Sequence, residues 1–193
     1  MIKHFCTYVF LFIFCFQINA QSHSHSHNHK HDGLHHWEIP SKDPDRIILT
    51  FNGDPATKRA VTWRTDSSVK KAKAQIAVAT VNSDFVKEAT TYFATTEEFD
   101  LGIYKSNKSL IVNYHSVVFE NLNPNTLYAY RVGNDENWSE WIQFKTANDT
   151  YSPTQFVYFG DAQNDILNHW SRVIRMAYQT APNASFVIHA GDL

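Results

Sequence analysis

Two Gly-Asp pairs, Gly160-Asp161 and Gly191-Asp192, carry the aspartates 31 positions apart, and each pair closes a short apolar run. Phe156-Val157-Tyr158-Phe159 leads into the first and Phe186-Val187-Ile188-His189-Ala190 into the second. A carboxylate is a hard oxygen ligand, an apolar strand behind it keeps its position stiff, and a neighbouring glycine leaves backbone room for a close approach. One Gly-Asp pair is an ordinary strand end followed by a polar loop. The same order of strand, Gly and Asp repeated across one unit makes Asp161 and Asp192 candidate metal ligands.

The elements that must position them are legible between residues 155 and 190. Gln155 to Phe159 reads as a buried strand, Ile166 to about Thr180 as a helix, and Ser185 to Ala190 as a second strand. Leu167, Trp170, Ile174, Ala177 and Tyr178 recur at helical spacing and predict one apolar stripe, with Asn164 or Asp165 as the cap and Pro182-Asn183 as the stop. A strand, helix, strand unit with a right-handed crossover makes its strands parallel, so both aspartates fall on one carboxyl edge, where open α/β sheets bind ligands.

The histidines divide differently. His189 lies in an apolar strand three residues before Asp192 and reads as a core or supporting residue rather than a ligand; His169 reads as solvated, and His115 has no partner visible in sequence. His23, His25, His27, His29 and His31 alternate with Ser, Asn and Lys, and His35 and His36 follow. Residues 21–38 therefore read as a disordered leader able to take a divalent metal, with zinc, copper or nickel suited to imidazole. The interrupted spacing behind a signal peptide argues against an expression tag, and a solvated leader with no selected role is the other reading.

Ahead of that leader, Lys3 and His4, the twelve-residue apolar run Phe5 to Phe16 and the small Ala20 read as a signal peptide over residues 1–20. Twelve residues are too few to span a bilayer, which needs about 20 in a helix. Phe14 before Cys15 argues against a lipoprotein signal. The expected product is secreted or periplasmic, with no membrane span. Cleavage would remove both cysteines and Lys3, leaving 16 basic against 19 acidic residues and no thiol for a disulfide. No basic run remains to neutralise a chain of phosphates, which excludes nucleic acid as an expected partner.

Between about Ile39 and Asn148 the chain reads as seven short strands and no helix. They are Arg46 to Phe51, Ala60 to Arg64, Ala74 to Ala79, Thr90 to Thr95, Ser109 to Phe119, Leu127 to Val132 and Trp141 to Lys145. Asn52-Gly53-Asp54-Pro55, Asn123-Pro124-Asn125 and Gly133-Asn134-Asp135 supply the turns. That content predicts a two-sheet sandwich. Tyr128, Tyr130 and Val132 share one strand face after Leu122, Pro124 and Thr126, a pattern that resembles the fibronectin type III signature with a tyrosine corner at Tyr128. Trp63 would then be the core tryptophan. Alternation favours core packing of these aromatics over a sugar-binding face, while Trp138 and Trp141, near a turn, stay open between packing and ligand contact.

A fibronectin-like domain followed by the two Gly-Asp strand ends resembles the purple acid phosphatases, members of the calcineurin-like metallophosphoesterases, over about Ile39 to Leu193. The resemblance implies a multidomain β plus α/β chain: a fibronectin III-like sandwich over 39–149, then the first βαβ unit of a truncated metallophosphoesterase domain over 150–193. It implies a phosphate ester substrate and a dinuclear centre of iron with zinc, manganese or iron. Asp161 would bind one metal, Asp192 would bridge both, and a metal-bound hydroxide would be the nucleophile. Two metals about 3.5–4 Å apart clamp the attacking and leaving oxygens of such a displacement. Gln163 departs from the family pattern, which has glycine or a ligating histidine there, and is read as a donor beside the metal rather than a ligand. The family's Gly-Asn-His stretch, later histidines and tyrosine have no counterpart in these residues, so the chain is expected to be the inactive front of a longer enzyme. The reading from another class is a non-catalytic secreted module with a metal-capturing leader. Sequons begin at Asn107, Asn137, Asn148 and Asn183.

Overall fold

A computed structural model describes residues 38–104, 108–162 and 165–191, all within one compact unit, Asp32–Leu193. The leader, the signal segment, Asn107, Gln163, Asn164 and Asp192 lie outside the described residues. No described helix is long and apolar enough to cross a membrane.

Eight strands form the sandwich: β1 (Asp45–Thr50), β2 (Arg59–Asp66), β3 (Lys73–Val78), β4 (Thr90–Phe93), β5 (Thr95–Tyr104), β6 (Lys108–Phe119), β7 (Leu127–Gly133) and β8 (Ile142–Lys145). One sheet runs β1-β2-β6-β5, the other β4-β3-β7-β8, and every pairing is antiparallel. The order is that of an immunoglobulin-like sandwich with a fourth strand on the second sheet. Seven predicted strands fall within two residues of observed ones. The eighth, β5, was hidden in Glu97-Glu98-Phe99-Asp100, whose charges suit an exposed edge strand and depress β-propensity. The predicted strand Thr90 to Thr95 is in fact broken at Ala94, whose N–H bonds the Ala72 carbonyl while the chain crosses from one sheet to the other. Ser83–Glu88 forms a 3₁₀ turn that was not expected.

The alternation in β2 and β7 does what its pattern requires. Val61 and Trp63 from one sheet meet Ala74, Ile76, Tyr128, Tyr130 and Val132 from the other, with Val117, Phe119 and Leu122 completing the core. Burial of each large side chain contributes about 1.5–3 kcal/mol. Tyr92 stands edge-on to Phe119 at 5.3 Å, and Tyr128 stacks on Phe144 at 5.8 Å. The tyrosine corner is present: the Tyr128 hydroxyl accepts from the Asn123 backbone N–H at 2.8 Å. Asn125, two residues on, takes a left-handed φ of 49°, which asparagine tolerates.

Beyond the sandwich, β9 (Phe156–Phe159) and β10 (Phe186–His189) pair in parallel, with Phe186 opposite Phe156 and His189 opposite Phe159. Helix α1 (Ser171–Thr180) joins them, led by a wide π-type turn at Ile166–Trp170. Two expectations change here. Asp165 is left-handed (φ 46°, ψ 44°) and makes no side-chain cap, while Asn164, the other expected cap, lies outside the described residues. Of the predicted stripe only Trp170 and Ala177 are half-buried; Leu167, Ile174 and Tyr178 are exposed. The π turn adds a residue to its loop and turns Leu167 out of phase with the α-helical residues. In addition, two strands less than 5 Å apart cannot cover a helix about 10 Å wide. Val157, Phe159, Val173, Met176 and Ala177 accordingly line an open groove beside β9.

Candidate metal-binding strand ends

The parallel register brings both Gly-Asp segments to one edge. The last paired residues are Phe159 and His189, and the Ala190 N–H extends the ladder to the Phe159 carbonyl at 3.0 Å. Gly160-Asp161 and Gly191 therefore leave the sheet on the same side. Asp161 is exposed there, and Ala162, the next residue, is buried. The second candidate ligand, Asp192, and Gln163 lie outside the described residues. Close packing does not explain either glycine, since a Cβ added at Gly160 or Gly191 would meet nothing within 4 Å. Gly191 instead supplies a backbone angle, φ +106°, that L side chains rarely adopt. It turns the chain sharply one residue before Asp192.

Behind this edge, His189 packs under the helix start, 5.5 Å from the Trp170 ring and 6.2 Å from Phe159. Both of its ring nitrogens are buried with no hydrogen-bond partner among the described residues. The residue as a whole is half-buried, not part of the fully buried core that its apolar strand suggests. His169 is exposed, as read from sequence. No group of three or more His, Cys, Asp or Glu gathers among the described residues. Among the described residues the chemistry at this carboxyl edge is the Asp161 carboxylate.

Two further clusters lie in the sandwich. His115, without a visible partner in the sequence, is 1% exposed and bridges three strands. Its Nε2 lies 2.8 Å from Thr65 Oγ1 and its Nδ1 2.9 Å from Thr96 Oγ1, with the Trp63 ring 5.4 Å away. Thr65 donates its own proton to the Asp66 carbonyl, so it accepts from Nε2–H, and Nδ1 accepts from Thr96. The imidazole is held neutral, and burial pushes its pKa down to about 4. Partners 19 and 50 residues away leave no local sequence signal.

The second cluster settles the role left open for Trp138 and Trp141. The Arg131 guanidinium lies 4.4 Å from the Trp138 ring and 4.8 Å from Trp141, while its Nε donates to Gln75 Oε1 at 2.8 Å. Phe85 meets Trp141 edge-on at 5.1 Å. Both indoles are half-buried and pack on the arginine, which covers one face of each.

The fold and the two strand ends can now be set beside known proteins. Residues 44–146 match the family model described as Purple acid Phosphatase, N-terminal domain. No curated protein matches the chain. Among solved structures, the chain is similar to PhoD at 16% identity and a TM-score of 0.47, covering 79% of this chain and 28% of that one. It is similar to the chicken CNTN1 FN1-FN3 domains at 18% identity and a TM-score of 0.37, covering 56% of this chain and 31% of that one. A computationally redesigned β-sandwich protein aligns at 20% identity and a TM-score of 0.35, covering 56% of this chain and 97% of that one. The chain thus spans less than a third of the PhoD and CNTN1 chains. The family match opens one residue before β1 and closes one residue after β8, so it takes in the whole eight-stranded sandwich, and the chain belongs to the purple acid phosphatase N-terminal domain family.

Proposed function

We propose that this chain is part of a secreted, metal-dependent phosphatase that hydrolyses phosphomonoesters at a dinuclear metal centre. The observation that carries the reading is the parallel β9-β10 pair directly after a purple acid phosphatase N-terminal domain, with Gly160-Asp161 and Gly191 leaving one carboxyl edge. Residues 39–149 are the accessory sandwich and residues 150–193 the start of the metallophosphoesterase domain.

An exposed carboxylate on a stiff strand end fits a hard cation, and Asp161 and Asp192 are the residues that would hold the pair. The bound metals would supply Lewis acidity and an activated water, the means by which such sites meet one of the largest barriers in biological chemistry. Asp192 would be the ligand shared by both metals, and its charge would offset repulsion between the cations. Two carboxylates alone are too few ligands for two ions, so residues 1–193 by themselves should turn over phosphomonoesters negligibly. In the leader, His23 to His36 take divalent zinc, copper or nickel, a proposal that loses its basis if deleting residues 21–37 leaves metal affinity unchanged.

The test is hydrolysis of an aryl phosphate by the longest polypeptide that carries this chain, with and without chelator. Asp192→Asn places a neutral amide between two cations and should lower kcat by ~10²-fold or more. Full activity in Asp192→Asn refutes the bridging role, and chelator-resistant turnover refutes the metal.

A further inference from the structure

The strand pair is not held by its own helix alone. Phe51, the residue after β1, reaches out of the sandwich and meets Phe186 edge-on, with ring centroids 5.3 Å apart at 83°. Phe186 in turn stacks flat on Phe156 at 5.2 Å. These two are the first residues of β10 and β9, so the sandwich touches the amino end of β10 directly and that of β9 through the Phe186 ring.

Phe51 is itself fixed from behind. The Arg59 guanidinium lies 4.7 Å from its ring centre and 5.7 Å from that of Phe144. Arg59 is 6% exposed and its donors are used: Nη1 bonds the Pro55 carbonyl at 2.7 Å and the Lys58 carbonyl at 2.9 Å, and Nη2 reaches the Lys145 carbonyl at 3.4 Å. The connection to β9 starts at the same place, where the Ala147 N–H bonds the Pro55 carbonyl at 3.0 Å. A planar cation tied to three carbonyls cannot swing away, and an aromatic ring packed on it keeps one orientation.

We infer that Phe51, backed by Arg59, is the docking residue by which the sandwich grips the amino ends of β9 and β10 and sets the direction in which both strands deliver their Gly-Asp ends. The docking stands on the ring geometry; only its consequence for Asp161 and Asp192 as ligands rests on the proposed function. Phe51 is thereby a positioning residue, 110 positions before Asp161 in the sequence and acting through Phe186 and Phe156.

Backbone hydrogen exchange of the full chain tests this without any catalytic readout. An edge-to-face aromatic pair supports a roughly 2- to 10-fold effect on local opening. Phe51→Ala and Phe186→Ala should each speed exchange at Val157–Phe159 and Val187–His189 by about that factor, leave Tyr128–Val132 unchanged, and together do no more than the larger single change. Three results overturn the inference: additive effects of the two substitutions, a Phe51→Ala effect confined to β1 and β2, or wild-type β9 and β10 exchanging as fast as an open chain. If docking holds while Asp192→Asn stays fully active, the positioning survives and the bridging role of Asp192 falls.

Discussion

His115 should make the sandwich less stable in acid by an amount that its surroundings set. Its neutral imidazole donates from Nε2 to Thr65 and accepts at Nδ1 from Thr96, buried against Trp63. Protonation would put a charge there and force the Thr96 hydroxyl to reverse. Burial alone lowers the folded pKa to about 4, whereas the unfolded group keeps its ordinary 6.5. Between those values the unfolded chain binds more protons than the folded one, so stability is full above pH 6.5, falls as the pH drops and levels off below about 4. At ~1.4 kcal/mol per pH unit the whole loss is about 3 kcal/mol, of which about 2.5 kcal/mol is reached by pH 4.5. That is a sizeable part of a typical 5–15 kcal/mol domain stability. Urea unfolding of the wild-type chain and His115→Gln at pH 7.5 and 4.5 reads it directly. Glutamine offers the same donor and acceptor without titrating, so the wild-type advantage should shrink by about 2.5 kcal/mol, near 1 M in midpoint, between the two pH values. An advantage that stays constant with pH would refute the reasoning, because carboxylates elsewhere titrate equally in both proteins.

Tyr128→Phe removes the acceptor of the Asn123 N–H and should cost about 1–2 kcal/mol in urea midpoint with the fold intact; no loss would mean that the corner bond is not an anchor. A Cβ at Gly133 would sit 2.0 Å from the Asn137 carbonyl oxygen and 2.9 Å from the Trp138 Cα, both backbone atoms that cannot step aside. Gly133→Ala should therefore destabilise by about 3 kcal/mol or more and disturb the Arg131 stacking, visible as a changed near-ultraviolet circular dichroism signal; a wild-type spectrum and midpoint would refute the clash.

Much of this molecule is written in short-range pattern. Alternation at Tyr128, Tyr130 and Val132, turn residues at Asn123-Pro124-Asn125 and helical spacing after residue 166 each reflect a periodicity of two or about 3.6 residues, which a strand or helix imposes on its neighbours in sequence. The sandwich, the parallel pair and the common edge for the Gly-Asp segments follow from that. What escaped was set by contacts between distant segments. The charged edge strand β5 owes its structure to pairing with β6 rather than to its own propensity. The Arg131 guanidinium, unremarkable in sequence, decides that Trp138 and Trp141 pack. The bridge from His115 to Thr65 and Thr96 and the Phe51 grip on Phe186 join residues 50, 19 and 135 positions apart. Local composition determined most of the elements, though not β5 or the 3₁₀ turn, because a residue's backbone preference acts on its nearest neighbours. Only the tertiary structure decided which side chains meet, because burial and hydrogen bonding between strands depend on how the sheets close over one another and not on any spacing along the chain.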